Sequence, residues 1–184
     1  MKEIIKDAEE RMKKSVATLK DEFNSMRTGR ASTSLFDKIK VNYYGQPTPL
    51  NQAATISAPE ARLIVIQPWD KSLLGEIEKA IQKSELSVNP NNDGKVIRIN
   101  IPPLTEDRRK ELVKVAKNTA EQSKVAIRNI RRDANEELKK RQKSGDISED
   151  DEKRDTDEIQ KLTDKYTEEI DTLLQSKEQE IMEV

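Results

Sequence analysis

Residues 105–143 read TEDRRKELVKVAKNTAEQSKVAIRNIRRDANEELKKRQK, the longest uninterrupted helical pattern in the chain. It contains no glycine or proline, and Pro102 and Pro103 stand just before it. Thr105 suits an N-cap, and the two acidic residues after it favour the positive end of a helix dipole. The stretch therefore predicts one helix about 58 Å long, at 1.5 Å per residue. Spacings of three and four define its expected apolar seam: Leu112, Val115, Ala116, Thr119, Ile127, Ile130, Ala134 and Leu138.

Two further helices are predicted, one on each side of this stretch. The first covers 2–27, and Gly29 follows it where a C-cap is expected. The third begins after a short break at 144–147, where Ser148 and Asp151 resemble a capping box. Each helix has one apolar stripe and needs partners in water, so the three are expected to form a bundle. The short break makes the second and third helices antiparallel neighbours.

The segment between the first two helices has a different pattern. Residues 38–44, 62–67 and 95–101 favour strands, and a short helix is expected around Leu73–Ile81. The sequence therefore predicts an α+β protein, with a bundle of 1–29 and 105–184 and an inserted α/β unit of 30–104. Two connectors, near 29–32 and 101–104, join the parts. The pattern leaves open whether they act as a hinge or as a clamp.

The composition of the 184 residues excludes several kinds of site. The chain has no cysteine and no histidine, which removes disulfides, thiolate metal sites and the commonest general base. It shows no secretory signal, no long apolar run, no Gly-rich phosphate loop and no nucleophile elbow. We expect a cytoplasmic protein that is not an enzyme, has no cofactor, catalytic residue or metal site, and does not bind membranes.

Charge is distributed unevenly although the formal net charge is only −1. Residues 104–143 carry 13 basic and 7 acidic side chains, whereas 144–184 carry 5 and 15. On a helical wheel, seven cations of the long helix fall within an arc of about 100°. We call them the basic face: Lys110, Lys114, Lys117, Lys124, Arg128, Arg131 and Arg132. The arc is either a solvated face paired with the acidic third helix or a track that binds RNA phosphates.

Other candidate residues have ordinary structural explanations beside the functional ones. Arg27 and Arg30 flank Gly29 and either only solubilise a helix end or add two cations near the connectors. Alternation places Tyr43 and Tyr44 on opposite faces of a strand, with one in the core; stacking on bases is the second interpretation. The acidic cluster 149–152 complements a helix dipole, and metal binding is the weaker alternative.

Seven segments, in family order along essentially the whole chain, resemble the ribosome recycling factor family. Four come from the first two thirds of the chain: RTGRAS (27–32), YYGQPTPLNQ (43–52), QPWDKS (67–72) and IPPLTEDRRKEL (101–112). Three come from the last third: VAIRNIRRDAN (125–135), SEDDEKR (148–154) and IQKLTDKY (159–166). One such segment would be weak evidence, but seven in order are specific.

The resemblance implies an L-shaped molecule, similar in outline to transfer RNA, with a three-helix bundle and an inserted β/α/β domain. It implies a monomer that binds the post-termination ribosome and splits it with elongation factor G, which hydrolyses GTP. Arg131 and Arg132, with Arg128 one turn earlier, would contact RNA of the large subunit, and Arg27 and Arg30 would assist near the hinge. The other lysines of the basic face would extend this site. The expected hinge residues are Arg30, Ala31, Ser32, Pro102, Pro103 and Leu104.

Two departures from the family pattern and two alternative functions remain. Lys124 stands where many members have arginine, and Ser87 replaces a frequent glycine. Without the resemblance, the pattern also fits a cochaperone that dimerises through a parallel coiled coil. It also fits an RNA-processing enzyme that uses carboxylates and Mg²⁺, for which no convergent carboxylate set is evident. Sedimentation and a metal-dependent cleavage assay would separate these classes.

Overall fold

The computed structural model describes residues 2–183, and these divide into two compact units. The helical unit contains 2–23 and 107–183. The small unit contains Asn24–Glu106. An α+β architecture with three long helices and a small mixed unit is therefore confirmed. Among the described residues, no helix combines the length and the apolar character that crossing a membrane requires.

Three long helices build the helical unit. They are α1 (Lys2–Ser25), α4 (Glu106–Lys143) and α5 (Glu149–Met182). Because α4 is 38 residues long, it extends about 57 Å. The first helix ends at Ser25, two residues before the predicted end. Gly29 has the positive φ (+75°) expected after a helix, but it lies beyond a short irregular segment.

The core of the helical unit is a row of side chains along these helices. The α4 seam is confirmed for most of its length and corrected at two positions. Val115 is 48% exposed, because it points away from the strip that passes through Leu112 and Ala116. Ala120 is buried and takes the place that the prediction gave to half-exposed Thr119. The seven buried residues of α4 are Leu112, Ala116, Ala120, Ile127, Ile130, Ala134 and Leu138.

The reversal between α4 and α5 follows from local chemistry. Gly145 adopts φ +83°, and the Asp146 amide donates to the Arg141 carbonyl at 2.9 Å, which ends α4. The Ser148 hydroxyl accepts from the Asp151 amide at 3.0 Å, and the Ser148 amide donates to Asp151 Oδ2 at 3.3 Å. The predicted capping box with Asp in place of Glu is therefore confirmed. Hydrogen bonds from Ser148 hold the pKa of Asp151 below its usual range.

The small unit contains two antiparallel sheets and two short helices. Strands β1 (Lys40–Tyr43) and β2 (Gln46–Pro49) form a hairpin. The other sheet has the order β3-β4-β6-β5. Its strands are β3 (Ala54–Glu60), β4 (Leu63–Pro68), β5 (Pro90–Asn92) and β6 (Ile97–Asn100). The helices are α2 (Leu50–Ala53) and α3 (Leu74–Lys83), and 3-10 turns cover Thr33–Phe36 and Lys71–Leu73.

One apolar cluster holds the small unit together. Strands β4 and β6 alternate as predicted, so Ile64, Ile66, Ile97 and Ile99 point inward and are fully buried. Helix α3 places Ile77 and two further apolar side chains on the same cluster. The three predicted strand regions and the predicted helix are all present, shorter or shifted by a few residues.

The prediction that Tyr43 and Tyr44 lie on opposite faces is wrong. Strand β1 ends at Tyr43, and Tyr44 with Gly45 forms the two-residue turn of the β1–β2 hairpin. Both turn residues have positive φ, 51° and 80°, as a type I′ turn requires. The turn brings the two rings into an edge contact with centroids 4.5 Å apart. Tyr43 packs against the core cluster, as expected for one of the pair, and Tyr44 is 83% exposed.

Candidate nucleic-acid interface

The seven cations of the basic face belong to the outer side of α4, because its inner side is taken up by the buried seam. The face divides into two parallel rows. Lys117, Lys124 and Arg131 are seven residues apart and follow the edge beside α5. Arg128 and Arg132 lie farther from that edge, and Lys110 and Lys114 are exposed in the first turns of the helix.

The row beside α5 is engaged with that helix. Lys117 Nζ lies 3.9 Å from Glu178 Oε1, and Lys124 forms an ion pair with Asp171. Arg131 donates a long hydrogen bond of 3.4 Å to the Gln160 amide oxygen. These contacts are possible because α4 and α5 run antiparallel. The expectation of a face paired with the acidic third helix is therefore correct for this row.

The outer row keeps its contacts within α4. Arg128 pairs with Glu121, seven residues earlier on the same helix, at 2.8 Å. Arg132 donates to the side chain of Asn129 at 3.0 Å. Both arginines are exposed, and an exposed ion pair contributes only about 0–1 kcal/mol. A phosphate group can therefore replace these partners at low cost.

A surface concavity of about 550 Å³ lies on this part of α4. Asn135 adjoins it, and its buried Oδ1 accepts no hydrogen bond within residues 2–183. Cationic guanidinium and ammonium groups beside two asparagine side chains suit an RNA backbone and its sugars. The lining residues are Val125, Arg128, Asn129, Arg131, Arg132, Asn135, Glu136 and Lys139.

Our sequence prediction missed Lys139 and the two asparagines of this concavity. The spacing contained the necessary signal, because Val125, Arg132 and Lys139 are seven residues apart and so share one side of a long helix. The asparagines carry no charge, so a search for cations alone could not find them.

Arg27 and Arg30 lie outside α4, in the small unit, after the end of α1. Arg27 is half-buried and Arg30 is exposed. A side-chain Cβ at nearby Gly29 would lie 3.0 Å from Leu104 Cγ, so glycine permits the close approach of the two connectors as well as the positive φ.

The two connectors, which contain the predicted hinge residues, meet one turn of the small unit through Ala31 and Ile101. The Ala31 amide donates to the Ala61 carbonyl at 2.7 Å, and the Ile101 amide donates to the Arg62 carbonyl at 2.8 Å. Ser32 caps the following 3-10 turn through its hydroxyl. The connectors therefore enter and leave the small unit at neighbouring points, where the turn between β3 and β4 holds both.

Two aromatic side chains of the small unit are exposed at its surface. Tyr44 and Trp69 are exposed, and the Trp69 indole nitrogen donates to Thr55 Oγ1 at 3.1 Å. Burial, together with nearby Tyr44 and Asp70, raises the pKa of Tyr43. No grouping of three or more carboxylates within 2–183 could hold a metal ion.

Comparisons with known proteins agree with this architecture. The sequence profile of the family described as ribosome recycling factor matches residues 19–182. A ribosome-recycling factor of Treponema denticola is 64% identical over 183 residues, which cover all of this chain and 99% of that protein. The factor of Halalkalibacterium halodurans is 60% identical over the same coverage.

Two solved structures resemble the whole chain. A solution structure of a ribosome recycling factor has a TM-score of 0.84 and 49% identity, covering 100% of this chain and 97% of the other. The second is the T. thermophilus factor, described with E. coli elongation factor G bound to the E. coli post-termination complex. It has a TM-score of 0.70 and 48% identity, with 99% and 98% of the two chains covered.

Proposed function

The chain belongs to the ribosome recycling factor family, and we propose on that basis that it recycles ribosomes after termination. It binds the post-termination ribosome and, with elongation factor G and GTP, splits it into subunits. Messenger RNA and transfer RNA then become available for a new round of translation. The protein is a non-enzymatic factor that acts in the cytoplasm as a monomer, and GTP hydrolysis takes place on its partner.

The outer row of the basic face supports this proposal best. Arg128 and Arg132 line a concavity on α4 together with Lys139, and within residues 2–183 none of the three forms an ion pair or hydrogen bond with α5. We propose that they anchor the helical unit on RNA of the large subunit, and that Arg131 and the lysines of the face extend the contact. Arg27 and Arg30 add positive charge from the small unit.

A ribosome-splitting assay tests the proposal. Post-termination ribosomes are mixed with the protein, elongation factor G and GTP, and light scattering follows the loss of particle mass. Splitting is expected only when all three are present. The proposal is wrong if a matched elongation factor G gives no splitting although the protein is folded.

The RNA contact is tested with Arg132→Ala. Binding to large subunits should weaken about tenfold, and the slope of log affinity against log salt should fall by roughly one unit. Arg154→Ala is the control, because Arg154 is also an exposed arginine and, within residues 2–183, its ion pairs are with Asp151 and Asp155 of its own helix α5. Equal affinity of the Arg132 and Arg154 variants would contradict the assigned contact.

We also propose that the two connectors act as a hinge between the anchored helical unit and the small unit, which faces elongation factor G. A Cβ at Gly29 would lie 3.7 Å from Leu104 Cβ, a separation that suits a disulfide. The chain has no native cysteine to interfere. The oxidised Gly29→Cys/Leu104→Cys variant ties the two connectors to each other, so it should restrict their bending and reduce splitting while ribosome binding is kept; the reduced form, which has the same backbone strain at position 29, serves as control. Equal splitting by both forms would contradict the hinge.

A further inference from the structure

The edge between α4 and α5 carries three polar contacts, which we call the seam ladder. Its rungs are Lys117–Glu178, Lys124–Asp171, and Arg131–Gln160. In the third rung, Gln160 in turn donates to Asp164 Oδ1 at 2.9 Å. The cations recur every seven residues on α4, and the acids at 164, 171 and 178 recur every seven residues on α5. This is the charge pattern of antiparallel helices in contact.

The seam ladder uses cations that also belong to the basic face. The Lys124 side chain is only 22% exposed, since its ion pair holds it along α5, whereas its partner Asp171 is 55% exposed. A carboxylate on the neighbouring helix and a phosphate of RNA are both anions that accept from an ammonium group. Lys124 can therefore satisfy one of them fully only by weakening its contact with the other.

The two contacts compete because each is a charge-assisted hydrogen bond of the same ammonium group. Asp171 is 55% exposed, so water and salt screen its side of the pair, and a phosphate can displace it. After displacement, the freed carboxylate remains beside the RNA and repels it. Each acid of the ladder therefore lowers affinity twice, first by occupying a cation and then by adding negative charge at the interface.

We propose that Asp171 and Glu178 are built-in competitors of RNA phosphate, and that they limit the affinity of the basic face and hasten its release. The inference rests on the proposed function, since it assumes that the basic face binds RNA of the large subunit. A factor that must leave the ribosome after each round benefits from rapid dissociation. Differences in affinity at one interface reside mostly in the dissociation rate.

A purely structural role for the ladder predicts the opposite result. If Asp171 only positions α5 or orients Lys124 for RNA, its neutralisation should leave binding unchanged or weaken it. If Asp171 competes with phosphate, its neutralisation should strengthen binding. The sign of the change therefore separates the two roles.

The test measures binding of the full chain to purified bacterial large ribosomal subunits at about 0.1 M salt, where the Debye length is about 10 Å. Asp171→Asn should bind about two- to fivefold more tightly and dissociate correspondingly more slowly. Glu178→Gln should act in the same direction and less strongly, because its pair with Lys117 is long, at 3.9 Å. Thermal unfolding checks that each variant is folded.

Glu169→Gln is the matched control. Glu169 also lies on α5 and forms an interhelical ion pair at 3.5 Å, but its partner is Lys20 of α1. The variant removes the same charge and the same kind of contact away from the basic face, so its affinity should stay unchanged. In a Lys124→Gln background, Asp171→Asn should lose most of its gain, because the cation that it frees is absent.

The outcomes are distinct. Tighter binding by Asp171→Asn but not by Glu169→Gln supports competition. Unchanged or weaker binding by Asp171→Asn overturns it, as does an equal gain in both variants, which would indicate a general charge effect. If the unaltered protein itself fails to bind large subunits, the proposed function fails and this inference fails with it.

Discussion

The helical unit and the small unit bury similar apolar side chains but arrange them differently. In the helical unit they form a row along three helices, from Leu112 to Leu138 on α4 alone. In the small unit, two sheets and α3 enclose one cluster centred on Ile64, Ile66, Ile97 and Ile99. A row leaves a wide surface on each helix, so the helical unit can carry long charged faces. A cluster leaves little surface of that kind, and the small unit exposes Tyr44 and Trp69 instead.

The two units therefore differ in how far the effect of a mutation on stability should spread. Each turn of a long helix contacts only its neighbours across the seam, so a change there acts over a few turns. In the small unit every strand packs on the same cluster. One deletion in the cluster should therefore affect the whole small unit.

The largest expected effect tests that difference. Ile64 is fully buried in β4, which pairs with both β3 and β6. Ile64→Ala should destabilise the small unit by about 2–5 kcal/mol, because it leaves a cavity in the cluster. Amide hydrogen exchange should show lost protection across 24–106 and little change in α4 and α5. Val65→Ala, on the opposite face of the same strand, should cost much less.

Equal loss of protection in both units after Ile64→Ala would break the comparison. The two units would then unfold as one cooperative body, and the local character of the helical unit would have to be abandoned.

A smaller effect is expected in the helical unit. Tyr166 is 3% exposed, and its hydroxyl donates to Glu9 Oε1 at 2.9 Å, which joins α5 to α1. Tyr166→Phe removes this hydrogen bond and should lower the free energy of unfolding by about 1 kcal/mol. The cost should not be larger, because water can reach the Glu9 carboxylate in the variant. Chemical denaturation at neutral pH measures this cost. No change would mean that the hydrogen bond contributes nothing beyond the packing of the ring.

The same tyrosine predicts a pH dependence. Burial and the hydrogen bond to Glu9 raise the pKa of Tyr166 from 10.0 to about 12. Because the folded value is the higher one, the protonated phenol stabilises the fold fully below pH 10. That contribution disappears as the pH rises from 10 to about 12. Tyr166→Phe should therefore show a shallower loss of stability across this window than the unaltered protein.

The smallest effect compares one backbone position in each unit. Ser87, in the small unit, has φ 51°, a left-handed conformation that favours glycine. Ser87→Gly should stabilise the small unit by about 0.5 kcal/mol, since relief of this strain exceeds the added freedom of the unfolded chain. Gly145→Ala should destabilise the helical unit by about 1 kcal/mol, because alanine is strained at a φ of +83°. The new side chain meets no atom within 4 Å, so backbone strain is the whole of the cost. Thermal unfolding measures the change in stability of each variant. A change in the same direction in both would contradict the strain argument.

Most of the secondary structure could be predicted because its causes are local. The absence of glycine and proline over 105–143, the reversal at Gly145 and the capping box at Ser148 depend on residues a few positions apart. Strands β2, β3 and β5 were not predicted, because they do not form for local reasons. Strand β2 contains two prolines, β5 is three residues long, and β3 has few β-branched residues. Each forms a strand because a partner strand pairs with it, and that partner is distant in sequence or across a turn.

The candidate site likewise has features that follow from local sequence and features that depend on helix packing. Helical periodicity alone places the seven cations on one side of α4, because it sets the face of each residue whatever surrounds the helix. Which of these cations contact α5 depends on how the helices pack. The position of α5 pairs Lys117 and Lys124 with acids and leaves Arg128 and Arg132 around an open concavity. Electrostatic pairing depends on distances of a few ångströms between helices, and only the packing of the buried seams sets those distances.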